Sequence, residues 1–107
     1  MDTLVLLDTD ITGLGLQHLR GMTSLETLWL SGTKVDDDGM RHLSGLTSLR
    51  HLWLQNTQVS DDGLEHLSKL TSLVELKLSH SRVTAAGVEQ LREALPGCDI
   101  QWTPPAP

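Results

Sequence analysis

Residues 49–72 read LRHLWLQNTQVSDDGLEHLSKLTS, and residues 25–48 read LETLWLSGTKVDDDGMRHLSGLTS, the same pattern 24 positions earlier. The frame also fits 1–24, with Leu4, Leu6, Thr9, Ile11, Gly15, Leu16, Leu19, Met22 and Ser24 in register. It fits 73–96 through Leu76, Leu78, Ser81, Val83, Gly87, Val88 and Leu91. A short fixed period marks a solenoid, in which each unit buries its apolar face only against its neighbours. A chain of 107 residues then holds one domain of four such units.

Each unit opens with Leu-x-x-Leu-x-Leu. Leu52 and Leu54 lie two apart and share one face of an extended strand, so Trp53 between them faces the other way. A polar step follows, as in Gln55-Asn56-Thr57, and a hydroxyl recurs as Thr9, Thr33, Thr57 and Ser81. It is expected to point inward and satisfy backbone groups at the bend. Ile11, Val35, Val59 and Val83 supply one more apolar anchor, and Thr12, Asp36, Ser60 and Thr84 stand where helix N-caps belong. Leu64, Leu67 and Leu70 have helical spacing, as do Leu16, Leu19 and Met22, which predicts one short helix over 61–69 and equivalents in the other units. Gly15, Gly39, Gly63 and Gly87 near each helix start are expected where a Cβ would strike the neighbouring layer.

Strands of a parallel sheet sit about 4.8 Å apart, whereas packed helices need about 8–10 Å. A stack with strands on one side and helices on the other therefore bends, and the sheet lines its concave face. The ends break the pattern. The first strand, near 3–7, has no polar cap and forms a bare edge that invites pairing. Ile100 and Trp102 fall where Leu76 and Leu78 would recur, which predicts a terminal strand over 99–102, within a last unit of 98–102. The proline-rich tail 103–107 then stops the ladder, because proline has no N–H to donate.

The repeat Leu-x-x-Leu-x-Leu-x-x-Thr-x-Val-(Ser/Thr/Asp)-Asp-x-Gly-Leu-x-x-Leu-x-x-Leu resembles the leucine-rich repeat family over residues 1–102. It is most similar to a 24-residue bacterial type, with Thr in place of the usual Asn, and to the ribonuclease-inhibitor-like class. The resemblance implies an α/β fold, a right-handed horseshoe solenoid with a parallel sheet of about five strands on the concave face and short helices on the convex face. It also implies partner binding, most often of proteins, on the concave face, with no shared catalytic residues; no cofactor is expected. The first repeat departs from the pattern in having Gly13-Leu14 where others carry two acids.

Charge and composition narrow the partners. The net charge of −6 and pI near 5.1 disfavour a nucleic-acid backbone. No stretch approaches the roughly 20 apolar residues of a spanning helix, so no membrane partner is expected. Cys98 is the lone cysteine, which excludes an internal disulfide. With no basic-then-apolar leader, a cytoplasmic protein is expected, or equally a segment of a longer one.

The residues between the inward leucines are Val5, Trp29, Trp53, Lys77 and then Gln101. Packing does not require Trp there, since leucines fill the frame. Trp29 and Trp53 fall on adjacent strands, about 5 Å apart, each offering on the order of 150–250 Å². Thr27 and His51 lie two residues before them, Ser31 and Gln55 two after; Leu7 extends the strip at one end, and Glu75 and Lys77 bound it at the other. A Trp pair with a polar rim resembles a binding hot spot. The leading expectation is a protein- or peptide-binding module. The alternative is a self-associating scaffold, natural, excised or engineered, a homodimer through the Trp face or the first edge strand. A third is carbohydrate binding by Trp stacking, which lacks nearby Asn and Asp.

Other constellations read as structural. His18, His42 and His66 recur at one helical position, about 8–10 Å apart, too far for one zinc with bonds of about 2.0–2.1 Å. Asp36-Asp37-Asp38 and Asp61-Asp62 lack the alternating oxygens of a calcium loop and suit a helix start. Cys98 lies about two strands from His51, and no nucleophile elbow or phosphate loop is present, so no catalysis and no metal are expected.

Overall fold

In the computed structural model, residues 2–103 are described; Met1 and residues 104–107, most of the proline tail, lie outside the described residues. Five strands form one parallel sheet in chain order: β1 (Asp2–Val5), β2 (Leu25–Trp29), β3 (His51–Trp53), β4 (Glu75–Lys77) and β5 (Asp99–Gln101). β1 runs slightly earlier than the expected 3–7, and β5 ends one residue before 102. Pairing nonetheless continues past the strand ends. The amides of Leu6, Leu30, Leu54 and Leu78 donate to the carbonyls of Trp29, Trp53, Lys77 and Gln101 at 2.8–2.9 Å.

The ladder then carries into the polar step, where the amides of Asp8, Gly32 and Asn56 bond the next layer at 2.9–3.0 Å. That geometry demands a left-handed residue once per layer: Asp8, Gly32, Asn56 and His80 have φ of 55°, 76°, 56° and 62°. Gly, Asn and Asp accept such a conformation most readily. The hydroxyl that follows acts as expected. Thr33 and Thr57 are buried and donate to the carbonyls of Leu30 and Leu54 at 2.6 and 2.7 Å. Ser81 donates likewise to Leu78. Thr9 makes the same bond to Leu6 but is exposed, because no described layer covers it.

The helical side is less uniform than the sequence predicts. The first unit has a 3-10 helix, Gly13–Leu19. The second has α1 (Asp37–Met40), which tightens into a 3-10 turn at Arg41–Leu43. The third has α2 (Asp61–Leu67), ending before the expected 69, and the fourth has α3 (Ala85–Ala94). Composition explains the trend: Gly13 and Gly15 each cost the first helix about 1 kcal/mol relative to Ala, whereas α3 is rich in Ala, Gln, Glu and Arg.

Two of the four expected side-chain caps form. Asp36 and Thr84 accept from the amides of Gly39 and Gly87 at 3.2 and 3.3 Å, but Thr12 and Ser60 cap nothing within their own helices. Ser60 is engaged elsewhere. The Asp37 carboxylate of the preceding layer accepts from the Ser60 amide at 2.7 Å and from its hydroxyl. Asp61 does the same for Thr84, at 2.8 and 2.5 Å. These carboxylates staple layer to layer. They also explain two of the four recurring glycines: a Cβ on Gly63 would lie 2.5 Å from Asp37 Oδ1, and one on Gly87 2.1 Å from Asp61 Oδ1. A Cβ on Gly39 would lie 2.6 Å from Gly13 Cα, while one on Gly15 would meet only Ile11 of its own unit.

The core is a leucine stack between sheet and helices. Leu28, Leu30, Leu52, Leu54, Leu76 and Leu78 are each 0% exposed. The first layer is looser: Met22 is 38% exposed where its equivalents Leu46 and Leu70 are 0% exposed. At the far end Ile100 is in register with Leu76, and Trp102 packs half-buried against the core in the place a leucine would take.

Candidate functional site

The alternation of the strands fixes what the sheet presents outward. With Leu28 and Leu52 inward and in register, Trp29 pairs with Trp53, Val5 with Trp29, Trp53 with Lys77, and Lys77 with Gln101. Strand spacing of about 4.8 Å brings two indoles in register within stacking distance of one another. Their centroids are 4.1 Å apart with planes 8° from parallel, closer than the expected 5 Å strand spacing. Lys77 Nζ stands 4.2 Å from the Trp53 ring centroid, a cation–π contact on the other face of the same ring. Trp53 therefore has Trp29 on one side and Lys77 on the other, and both indoles are partly buried.

Polar side chains surround the stack, and one of them holds Trp53. Trp53 Nε1 donates to Glu75 Oε1 at 3.0 Å, and His51 Nδ1 lies 3.8 Å from the same oxygen. Ser31 donates to Gln55 Oε1 at 3.1 Å, and Gln101 Nε2 donates to Asp99 at 3.3 Å. The outward residues thus form three rows across the strands. One runs Thr3, Thr27, His51, Glu75, Asp99. The middle row runs Val5, Trp29, Trp53, Lys77, Gln101; the third follows two residues on, through Leu7, Ser31 and Gln55. Every residue singled out from the sequence as partner-facing falls on this one face. Sequence reasoning missed that Glu75 and Lys77 do not merely bound the Trp strip but hold Trp53 in place. The register alone put both within reach of the indole, which was the available signal.

The histidine series loses its equivalence in three dimensions. His18 is exposed, His66 half-buried and His42 buried, with its Nδ1 unpartnered. Burial, helped by Arg41 and then Arg20, lowers the His42 pKa. Among the described residues no group of three His, Cys, Asp or Glu side chains is gathered as a metal site would need. Cys98 is half-buried, and burial, followed by Asp99 and Glu75, raises its pKa to about 11, which keeps it a thiol at neutral pH. Among the described residues, no helix is long and apolar enough to cross a membrane.

Comparison with known proteins adds the following. A family model for leucine-rich repeats in two copies matches residues 23–66, and a second leucine-rich repeat model matches residues 69–91. No curated protein matches the sequence. Among solved structures, the chain is similar to internalin C2 of Listeria monocytogenes, with 27% identity and a TM-score of 0.77, covering 97% of this chain and 45% of that one. It is similar to a leucine-rich repeat protein of Leptospira interrogans, with 25% identity and a TM-score of 0.76, covering 94% of this chain and 25% of that one. An internalin of Listeria monocytogenes, internalin F, shares the fold at 19% identity and a TM-score of 0.62, covering 100% of this chain and 36% of that one. This chain spans less than half of each of these longer chains.

Proposed function

This chain belongs to the leucine-rich repeat family, whose members commonly mediate protein–protein contact, and from that premise we propose that its outward sheet face binds a protein or peptide through Trp29 and Trp53. One observation carries the reading: two indoles stand stacked on the outward face while the leucines beneath them fill the core unaided. A side chain that the fold does not need is free to serve a partner. The stack also fixes both rotamers before binding, which lowers the entropy lost on contact by about 0.5–1.5 kcal/mol per side chain.

The size of the face favours a peptide segment. Five strands at about 4.8 Å and three rows about 6.7 Å apart give a patch on the order of 400 Å², half of the about 800 Å² each partner brings to a standard interface. Sugar stacking fits poorly, because Trp53 already has a ring on one face and an ammonium on the other. The cytoplasmic setting expected from the sequence belongs to the same proposal, and cell fractionation tests it.

Size-exclusion chromatography with light scattering separates partner binding from self-association. A native chain that stays monomeric at tens of micromolar, and a Trp29→Ala/Trp53→Ala variant that keeps its circular dichroism but loses partner capture, agree with the proposal. A native dimer that those changes dissolve assigns the face to a second copy instead.

A further inference from the structure

The outward face is polarised along the stack. At the β1–β2 end it carries Val5, 49% exposed, beside Trp29 and the uncharged Thr27. At the β4–β5 end Glu75 and Asp99 stand in register on adjacent strands, about 4.8 Å apart in the backbone. Like charges directly opposite one another on neighbouring strands destabilise a sheet.

The chain itself supplies little to relieve them. Among the described residues no Lys or Arg forms an ion pair with either carboxylate. Lys77, between them in sequence, is drawn over the Trp53 ring, and His51 is 3.8 Å from Glu75. Both carboxylates act on Cys98 and raise its pKa, so their fields converge on that end of the sheet. Each also has an oxygen already placed by a neighbour, Glu75 by Trp53 and Asp99 by Gln101. Pre-oriented carboxylates beside an apolar strip suit an incoming guanidinium or ammonium, and the net charge of −6 favours approach of a cationic chain.

Resting on the assignment of this face to a partner, we propose that the partner is an extended segment crossing the strands, with a large apolar side chain over Val5 and Trp29 and an Arg or Lys at Glu75 and Asp99. The spacing follows from the sheet. From midway between β1 and β2 to midway between β4 and β5 is three strand intervals, about 14 Å, or about four residues of extended chain at 3.3 Å each.

The test is selection of a displayed random 12-residue peptide library on three immobilised proteins: the native chain, Trp29→Ala/Trp53→Ala, and Glu75→Gln/Asp99→Asn. The amides keep the acceptors for Trp53 and Gln101 and remove only the charge. The expected native pool is enriched in Arg or Lys about three to five residues from Leu, Ile, Met, Phe or Trp. An enriched peptide should lose about tenfold in affinity against Glu75→Gln/Asp99→Asn, and that variant's own pool should keep the apolar residue and lose the basic one. A Trp-dependent pool without basic enrichment, or one enriched in acids, overturns this inference and leaves the binding face standing. A pool indifferent to the Trp changes, or no pool at all, overturns the binding face itself.

Discussion

Removing Asp61 should reverse the sign of a substitution at Gly87. The Asp61 carboxylate accepts from the Thr84 amide at 2.8 Å and from its hydroxyl at 2.5 Å. Charge-assisted bonds contribute about 1.5–3 kcal/mol each when buried. Both of these are solvent-exposed, so about 1.5 kcal/mol for the pair is the expected cost of Asp61→Ala. A Cβ on Gly87 would lie 2.1, 2.5 and 3.1 Å from Oδ1, Cγ and Oδ2 of Asp61, its three nearest neighbours outside its own helix. Gly87→Ala therefore swings the carboxylate away and forfeits the same bonds, while helix propensity returns up to about 1 kcal/mol. The net loss is about 0.5–1 kcal/mol. Once Asp61 is Ala the obstacle is gone, and Gly87→Ala should stabilise by about 0.5–1 kcal/mol. At about 4 °C per kcal/mol for a domain of this size, Gly87→Ala lowers Tm by about 3 °C in the native chain and raises it by about 3 °C in Asp61→Ala. Thermal melts followed by circular dichroism, with urea titrations to confirm an unchanged slope, read out the four proteins. The same decrease in both backgrounds would falsify the staple.

Three further outcomes are expected. His80 holds φ at 62°, which Asn tolerates and a β-branched residue does not, so His80→Asn should raise stability by about 0.5 kcal/mol and His80→Val lower it by about 1–2 in urea titrations. With its pKa near 11, Cys98 should react with a thiol-directed alkylating reagent at pH 8 about a hundredfold more slowly in the folded chain than in 6 M urea; since the unfolded thiol ionises first, stability should also fall as pH rises above about 9. The folded pKa of His42 is lowered, so its contribution is present above the unfolded value of 6.5 and lost as pH falls below it; the urea midpoint should drop between pH 7.5 and 5.5, and less so in His42→Gln.

The repeat made the sheet legible. Once Leu52 and Leu54 are placed inward, Trp53 must face outward, and the register of the neighbouring units follows. The stapling carboxylates were not legible. Asp37 and Asp61 have the identity of ordinary first-turn acids, and only the separation of successive layers shows that they reach Ser60 and Thr84. The left-handed position escaped for a related reason: Asp8, Gly32, Asn56 and His80 share a backbone angle but no residue type. Periodicity also overstates likeness at the ends. Met22 and Leu46 occupy the same position, yet the first is 38% exposed because no described layer covers it. At the candidate site the sequence showed which residues share the face. The stacking of the rings, and the hold of Glu75 and Lys77 on Trp53, depend on rotamers that strand register allows without dictating.

The assignment of the Trp face is tested most directly by quantitative capture. The native chain and Trp29→Ala/Trp53→Ala, matched in circular dichroism, are immobilised side by side, and the proteins each retains are measured. The face predicts at least one species held stoichiometrically by the native chain and reduced tenfold or more by the variant. Identical retention by both proteins would contradict it.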